Sequence, residues 1–167
     1  MEPVLVLVDF SDVTSALLKT AAELARSLAR QLIILHVATP TRPDEAEDDA
    51  GRGDDVISSA GTTRPIQTSS TLSASRRRLQ IIELELNRLG VEATTLLLSP
   101  ASDVRQSPAA QILEQVDRLK PAFVVIGSHD HGRLHQLLVG GVTQAVLRGA
   151  RQPVVVVPAI TARAATS

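Results

Sequence analysis

Five short apolar runs, separated by segments of helical period, constrain the fold of this chain more than any other feature. The runs span Val4 to Val8, Leu32 to Val37, Val91 to Leu98, Ala122 to Ile126 and Val154 to Val157. Four of them are apolar on both faces, which is typical of parallel strands covered by helices on both sides. The alternation predicts an α/β fold, an open, doubly wound five-stranded parallel sheet with helices on both faces.

Helices are predicted between the runs because apolar residues recur there every three or four positions. The three predicted apolar faces are Leu17, Ala21, Leu24 and Leu28, then Leu79, Ile82, Leu86 and Leu89, and then Ile112, Val116 and Leu119. Ser107 and Pro108 form a cap and first-turn pair for the third helix, which Pro121 ends. A last helix is expected from about Val142 to Arg148, with Gly149 as its stop.

Residues 39–71 break this pattern. The segment is rich in Pro, Gly, Ser, Thr and acidic residues and has no sustained periodicity. We therefore expect a single domain over residues 1–167, with a largely disordered insertion at 39–71. A solvated linker is the simplest interpretation, although its acids could also dock on a basic partner or on Arg76, Arg77 and Arg78.

Composition excludes several classes of partner. With 1 % aromatic residues and a net charge of −1, the chain offers no stacking platform or positive surface for nucleic acid, and no attraction for an anionic membrane. The absence of cysteine excludes disulfides, thiolate metal sites and cysteine nucleophiles. The start, Met1-Glu2-Pro3, lacks a secretory pattern, and no apolar run approaches membrane-spanning length, so we expect a cytoplasmic protein.

Two loops are the expected ligand site, because open α/β sheets bind ligands beyond the carboxyl ends of their strands, where the strand order reverses. After Val8, the Asp9 carboxylate can accept hydrogen bonds from a ligand, and Ser11 or Asp12 is expected to cap the next helix. After Ile126, a glycine-rich stretch allows close backbone approach and presents unpaired N–H groups that favour phosphate.

These motifs resemble those of the universal stress protein family. Its ATP-binding members carry, after the fourth strand, a glycine, two residues, a glycine, nine residues, then glycine and serine or threonine. Gly127 and Gly140 match the first and third glycines with this spacing. Asp9-Phe10-Ser11 resembles the first-strand motif, and His36-Val37 resembles the end of the second strand. The resemblance implies a Rossmann-like fold of the adenine nucleotide alpha hydrolase type.

The resemblance also implies a ligand, ATP or AMP, with Mg²⁺ accompanying ATP. The implied site comprises Asp9, Ser11, Val37, Ile126, Gly127, Ser128, His129, Asp130, Gly140, Gly141, Val142 and Thr143. Two departures bear on affinity. Asp130 stands at the second glycine position and adds negative charge near the phosphates, and Gly141 replaces the hydroxyl residue. We expect weaker nucleotide binding in a pocket of unchanged shape.

A homodimer is expected through the last strand, Val154 to Val157. This short edge run would otherwise expose unpaired backbone groups, and members of the family pair there. Replacement of Val155 with proline is then expected to weaken association.

Other chemistry finds little support in the sequence. His129, His131 and His135 could converge on a metal, but only Asp130 is at hand as a further ligand, so we predict no metal site. His36 lies in a strand and is expected to be a hydrogen-bonded core or edge histidine. No Ser-His-Asp order with a nucleophile elbow is visible, so hydrolase chemistry of that type finds no support and no catalytic residue is predicted. If the chain turns over ATP at all, we expect that turnover to be slow.

These features favour one function class over the alternatives. The leading one is a nucleotide-responsive regulatory or signalling protein in the stress response. The alternative is a stress protein that binds no nucleotide and acts by dimerisation and protein contacts. An adenylating ATPase would need Ser-Gly-Gly after the first strand, and a phosphoacceptor receiver domain would need Asp in place of Ser99 and Lys in place of Pro158. Analogy with the family, rather than site chemistry, favours the first class.

Overall fold

The computed structural model describes residues 1–38, 67–99, 107–128 and 141–158. Within these ranges strands and helices alternate along the chain. The elements are β1 (Val4–Leu7), α1 (Thr14–Ser27), β2 (Leu32–Val37), α2 (Gln67–Arg88), β3 (Ala93–Leu98), α3 (Pro108–Leu119), β4 (Phe123–Gly127), α4 (Gly141–Gly149) and β5 (Val154–Val157).

The strands form one parallel sheet in the order β3-β2-β1-β4-β5. β1 lies at the centre, and Leu7 near its carboxyl end pairs with Leu35 of β2 on one side and with Ile126 of β4 on the other. β2 and β3 are added on one side of β1, and β4 and β5 are added on the other side. The strand order therefore reverses between β1 and β4. The predicted fold class is confirmed, and the reversal places a crevice at the carboxyl ends of these two strands.

The core has two layers because the side chains of β1 alternate between the faces of the sheet. Val4 and Val6 pack in a cluster with residues of α1 and α2, whereas Leu5 and Leu7 pack in a second cluster with residues of α3 and α4. All four side chains are buried. Burial on both faces explains why this strand is a continuous apolar run rather than an alternating one.

The boundaries of α3 follow the predicted signals. The Ser107 hydroxyl accepts a hydrogen bond from the Ala110 amide at 3.2 Å, and Pro108 occupies the first turn. The helix ends at Lys120, which adopts a left-handed conformation with φ of 45° directly before Pro121. The cap and stop predicted from the sequence are confirmed.

Gly149 has a packing role that the sequence does not reveal. It is the last residue of α4, and a Cβ atom there would lie 2.6 Å from Leu113 Cδ1 of α3. The absence of a side chain therefore lets α4 approach α3 closely. This contact holds α4 in place beside the crevice, where its first residue lies.

Three sequence-based expectations are corrected. α2 begins at Gln67, so the end of the predicted insertion, up to Thr71, is helical, while residues 39–66 lie outside the described part of the chain. Leu28 and Leu89 are 40 % and 69 % exposed rather than part of a buried face. Each follows the end of its helix, where the helical period no longer directs the side chain toward the sheet.

Candidate functional site

A cavity of about 370 Å³ opens at the carboxyl ends of β1, β2 and β4. Its walls include the start of three helices: Val13 in the cap position of α1, Pro108 of α3 and Gly141 of α4. Small-molecule sites typically have volumes of roughly 300–1,000 Å³. The cavity therefore has the size and the position expected for a ligand site in a doubly wound sheet.

Most of the predicted site residues that the structure describes line this cavity. They are Asp9, Ser11, Val37, Ile126, Gly127, Gly141, Val142 and Thr143. Ser128 is described but is not among the lining residues, and its amide donates to the Val157 carbonyl at 2.9 Å, which extends the pairing of β4 with β5. His129, Asp130 and Gly140 lie outside the described residues, as do His131 and His135.

Apolar side chains that sequence reasoning missed form much of the remaining wall. They are Leu7, Val8, Val13, Leu17, Leu35, Pro108 and Ile112. Each belongs to a strand end or to the beginning of a helix, and in a parallel α/β sheet these two kinds of position lie at the same edge. That rule could have identified them, because the strand ends and helix starts were already predicted.

The Asp9 turn forms part of the cavity wall. The Asp9 carboxylate oxygen Oδ1 accepts hydrogen bonds from the Ser11 amide at 3.0 Å and from the Ser11 hydroxyl at 2.6 Å. Phe10, between them, has a φ of 62°, the left-handed conformation. The prediction that Ser11 or Asp12 caps α1 is wrong: Val13 occupies the cap position without a side-chain hydrogen bond. Ser11 instead holds the carboxylate of Asp9.

His36 also lines the cavity, and the sequence placed it only as a hydrogen-bonded strand histidine. Its Nδ1 lies 2.8 Å from the Val8 carbonyl oxygen, and its Nε2 lies 3.3 Å from the Ser75 hydroxyl on α2. A carbonyl oxygen can only accept, so Nδ1 carries the proton and Nε2 of the neutral ring accepts from Ser75. The expectation that both ring nitrogens find partners is confirmed.

Burial lowers the pKa of His36 below its ordinary value of 6.5. The hydrogen bond to Val8 and the charge of Asp9 oppose this effect, whereas the positive charge of Arg78 adds to it. Desolvation dominates because the charged imidazolium loses more hydration than the neutral ring. His36 is therefore a neutral wall of the cavity around pH 7.

β4 and α4 form another part of the cavity wall. The buried Thr143 hydroxyl donates to the Gly127 carbonyl at 3.1 Å, which ties the first turn of α4 to the end of β4. Gly141 is exposed at the start of α4, and a Cβ atom added there meets no atom of the described residues within 4 Å. The first turn of a helix carries unpaired N–H groups and a partial positive charge, which suits an anion.

The chain is therefore a doubly wound α/β protein. Its cavity lies where the strand order reverses, which is the usual place for a ligand site in this class of fold. The model of the universal stress protein family matches residues 1–158. The chain belongs to this family.

Solved structures share the fold at low sequence identity. A universal stress protein family member from Burkholderia pseudomallei has 23 % identity and a TM-score of 0.65, over 95 % of this chain and 96 % of that one. The universal stress protein from Archaeoglobus fulgidus in complex with dAMP has 20 % identity and a TM-score of 0.62, over 93 % and 97 %. A universal stress protein in complex with cAMP has 16 % identity and a TM-score of 0.61, over 94 % and 97 %. No protein with a curated description matches the sequence significantly.

Two other kinds of feature are absent from the described residues. None of the helices there is long and apolar enough to cross a membrane. The same part of the chain contains no group of three or more histidine, cysteine, aspartate or glutamate side chains that could hold a metal ion.

Proposed function

We propose that this chain binds an adenine nucleotide in the cavity at the carboxyl ends of β1, β2 and β4 and acts as a nucleotide-responsive regulatory protein in the stress response. The observation that carries the proposal is the composition of the cavity wall. The wall combines a carboxylate, apolar side chains and residues of the first turn of a helix. A nucleotide has the matching arrangement, with a flat, largely apolar base that carries donors and an anionic tail.

The base end of the proposed site is formed by Asp9, Val37 and the apolar wall. The Asp9 carboxylate is held in place by Ser11 and can accept hydrogen bonds from a ligand amino or hydroxyl group. The side chains of Leu35 and Ile112 can contact the faces of a base. Such a combination of a few fixed polar groups with apolar walls is the usual composition of a small-molecule site.

The phosphate end of the proposed site is formed by Gly127 and the start of α4. Gly141, Val142 and Thr143 supply the first backbone amides of that helix. By the family motif, Ser128, His129, Asp130 and Gly140 would complete this end.

Related structures contain dAMP and cAMP, which supports a monophosphate as the ligand. We propose AMP ahead of ATP, because the charge of Asp130 would repel a triphosphate more strongly than a monophosphate. If ATP binds, Mg²⁺ would offset this repulsion by neutralising phosphate charge, so the affinity for ATP should depend on the metal.

We also propose a single-domain cytoplasmic homodimer. β5 is an edge strand of the sheet, and Val156 on it is 37 % exposed. A second copy of β5 would satisfy its open backbone groups. The cysteine-free composition is compatible with a reducing compartment.

The proposal is tested by titrating the purified chain with AMP and with ATP, with and without Mg²⁺, by calorimetry and by thermal unfolding. A ligand present at 100 times its dissociation constant stabilises the folded state by roughly 2.7 kcal/mol. Asp9→Asn should weaken binding by roughly tenfold or more, because a hydrogen bond to a charged group is lost. Asp12→Asn is the matched control, since this exposed carboxylate lies in the same loop but is not a lining residue.

If neither nucleotide binds, or if Asp12→Asn weakens binding as much as Asp9→Asn, the assignment of the cavity is wrong. In the first case the alternative function, a stress protein that acts by dimerisation and protein contacts, takes its place.

A further inference from the structure

Phe10 occupies a conformation that a bulky residue rarely adopts. Its φ of 62° places it in the left-handed region, which costs a residue with a Cβ atom roughly 1–2 kcal/mol. Only two phenylalanines occur in the chain, and tyrosine and tryptophan are absent. A glycine would adopt this turn without strain. The surrounding contacts must therefore hold the Phe10 ring in place.

The Phe10 ring packs against the buried cluster formed with α1 and α2, and two polar side chains contact it from neighbouring elements. The His36 ring of β2 lies 4.3 Å from the Phe10 ring, centroid to centroid, at an interplanar angle of 49°. The guanidinium carbon of Arg78, on α2, lies 5.4 Å from the Phe10 centroid. This is within the range of about 6 Å for a cation–π interaction. We call these three residues the Phe10 clamp.

The clamp connects α2 to the Asp9 turn through two adjacent contacts. Ser75 and Arg78 are three residues apart on α2 and so lie on the same face of the helix. Ser75 is hydrogen-bonded to His36, and Arg78 lies over Phe10. His36 in turn is bonded to the Val8 carbonyl, directly before Asp9. Each contact thus reaches a residue next to Asp9.

We propose that Arg78 is a positioning residue, which holds the Asp9 turn at the base end of the cavity by way of the Phe10 ring. The effect on ligand affinity rests on the proposed function, whereas the effect on the turn does not. Arg78 would otherwise be one of three consecutive exposed arginines, a solvated helix surface. Its guanidinium lies over the Phe10 ring, which gives it a contact beyond the helix surface.

The charge of Arg78 also affects a second measurable property, the pKa of His36. The charged groups that act on His36 are Asp9, which favours its protonation, and Arg78, which disfavours it. Ser75 and the Val8 carbonyl are its hydrogen-bond partners. Removal of the Arg78 charge should therefore raise the pKa of His36, which reports that the Arg78 charge lies near this ring, whereas the Ser11 amide reports the position of the turn.

The test compares Arg78→Gln, Arg78→Lys and the matched control Arg77→Gln in the whole chain. AMP affinity is measured by calorimetry, and NMR follows the Ser11 amide signal and the pH titration of the His36 ring. Arg78→Gln should weaken AMP binding by about two- to fivefold, which is the effect of one exposed cation–π contact. It should also shift the Ser11 amide and raise the pKa of His36, with little change in melting temperature. Arg78→Lys should recover part of each effect, and Arg77→Gln should produce none.

A double-mutant cycle with Phe10→Leu separates the clamp from a direct effect of the arginine charge on the ligand. In the Phe10→Leu background, Arg78→Gln should no longer affect AMP affinity or the Ser11 amide, because the ring that transmits the effect is absent. An undiminished effect in that background overturns the proposal.

The two proposals fail in different ways. If the unmodified chain binds no AMP, the proposed function is wrong, and the Ser11 amide signal, with and without the Phe10→Leu change, tests the clamp. If the chain binds AMP, but Arg78→Gln leaves the affinity, the Ser11 amide and the pKa of His36 as they are in Arg77→Gln, the clamp is wrong and the proposed function stands.

Discussion

Val156→Pro should dissociate the proposed dimer while leaving the sheet intact. The Val124 amide donates to the Pro153 carbonyl, and the Ser128 amide donates to the Val157 carbonyl, each at 2.9 Å. Because the backbone groups of a strand point alternately to its two sides, Val155 also directs its amide toward β4. Val154 and Val156 then direct theirs to the open edge.

This geometry corrects the substitution suggested by the sequence. Val155→Pro would remove a hydrogen bond between β5 and β4, and so would disturb the fold as well as any association. Val156→Pro removes an edge donor. In a twofold-symmetric pairing of β5 with its copy, each protomer contributes its own Val156 amide. The substitution therefore removes two hydrogen bonds from the interface. At a net 0.5–1.5 kcal/mol each, the loss is about 1–3 kcal/mol, or roughly five- to 150-fold in the dimer dissociation constant.

Sedimentation velocity over a range of concentrations measures this constant, and circular dichroism confirms that the variant remains folded. Val155→Pro is the comparison, since it should lower the melting temperature far more than Val156→Pro does. A monomeric unmodified chain at the highest concentration would refute pairing through β5. The same conclusion would follow if Val156→Pro dimerised as tightly as the unmodified chain.

Three further predictions follow from the site and the core. His36 has a lowered pKa in the folded chain, so its stabilising contribution is present above pH 6.5 and is lost as the pH falls through the lowered pKa. The difference in unfolding free energy between the unmodified chain and His36→Gln, from urea melts, should shrink over that window, and a constant difference would contradict it. Gly141→Ser should tighten AMP binding by about fivefold in calorimetry, because none of the described residues would meet the added Cβ atom and a hydroxyl donor adds about 1 kcal/mol. Unchanged or weaker binding would show that the ligand does not reach α4. Leu5→Ala, at a fully buried position, should cost about 2–5 kcal/mol of unfolding free energy in urea melts, and a cost below 1 kcal/mol would contradict the two-layer core.

Several parts of the fold could be predicted from the sequence because they depend on local chemistry. The apolar run at β1 is buried on both faces, as the run of valine and leucine indicated. The cap at Ser107 and the stop before Pro121 follow from side-chain hydrogen bonding and from the geometry of proline. The family motifs also indicated the ends of β1 and β4 as the two sides of a ligand site.

Other features depend on tertiary contacts or on the exact geometry of a turn, and no sequence pattern indicates them. Ser11 was expected to cap α1, but its hydroxyl is bound by the Asp9 carboxylate, a competition that only the geometry of the turn decides. Gly149 was expected as a helix stop, but its missing side chain matters because Leu113 of another helix lies against it.

The sequence by itself determined the order of strands and helices and the type of sheet, since hydrophobic period and capping act within a few residues. Only the tertiary structure decided which side chains meet at the site. Phe10, His36 and Arg78 come from a loop, a strand and a helix, and each alone has an ordinary interpretation. Their contact arises because parallel packing places the end of β1, the end of β2 and the middle of α2 side by side. That arrangement depends on the packing of the whole domain and not on any single segment.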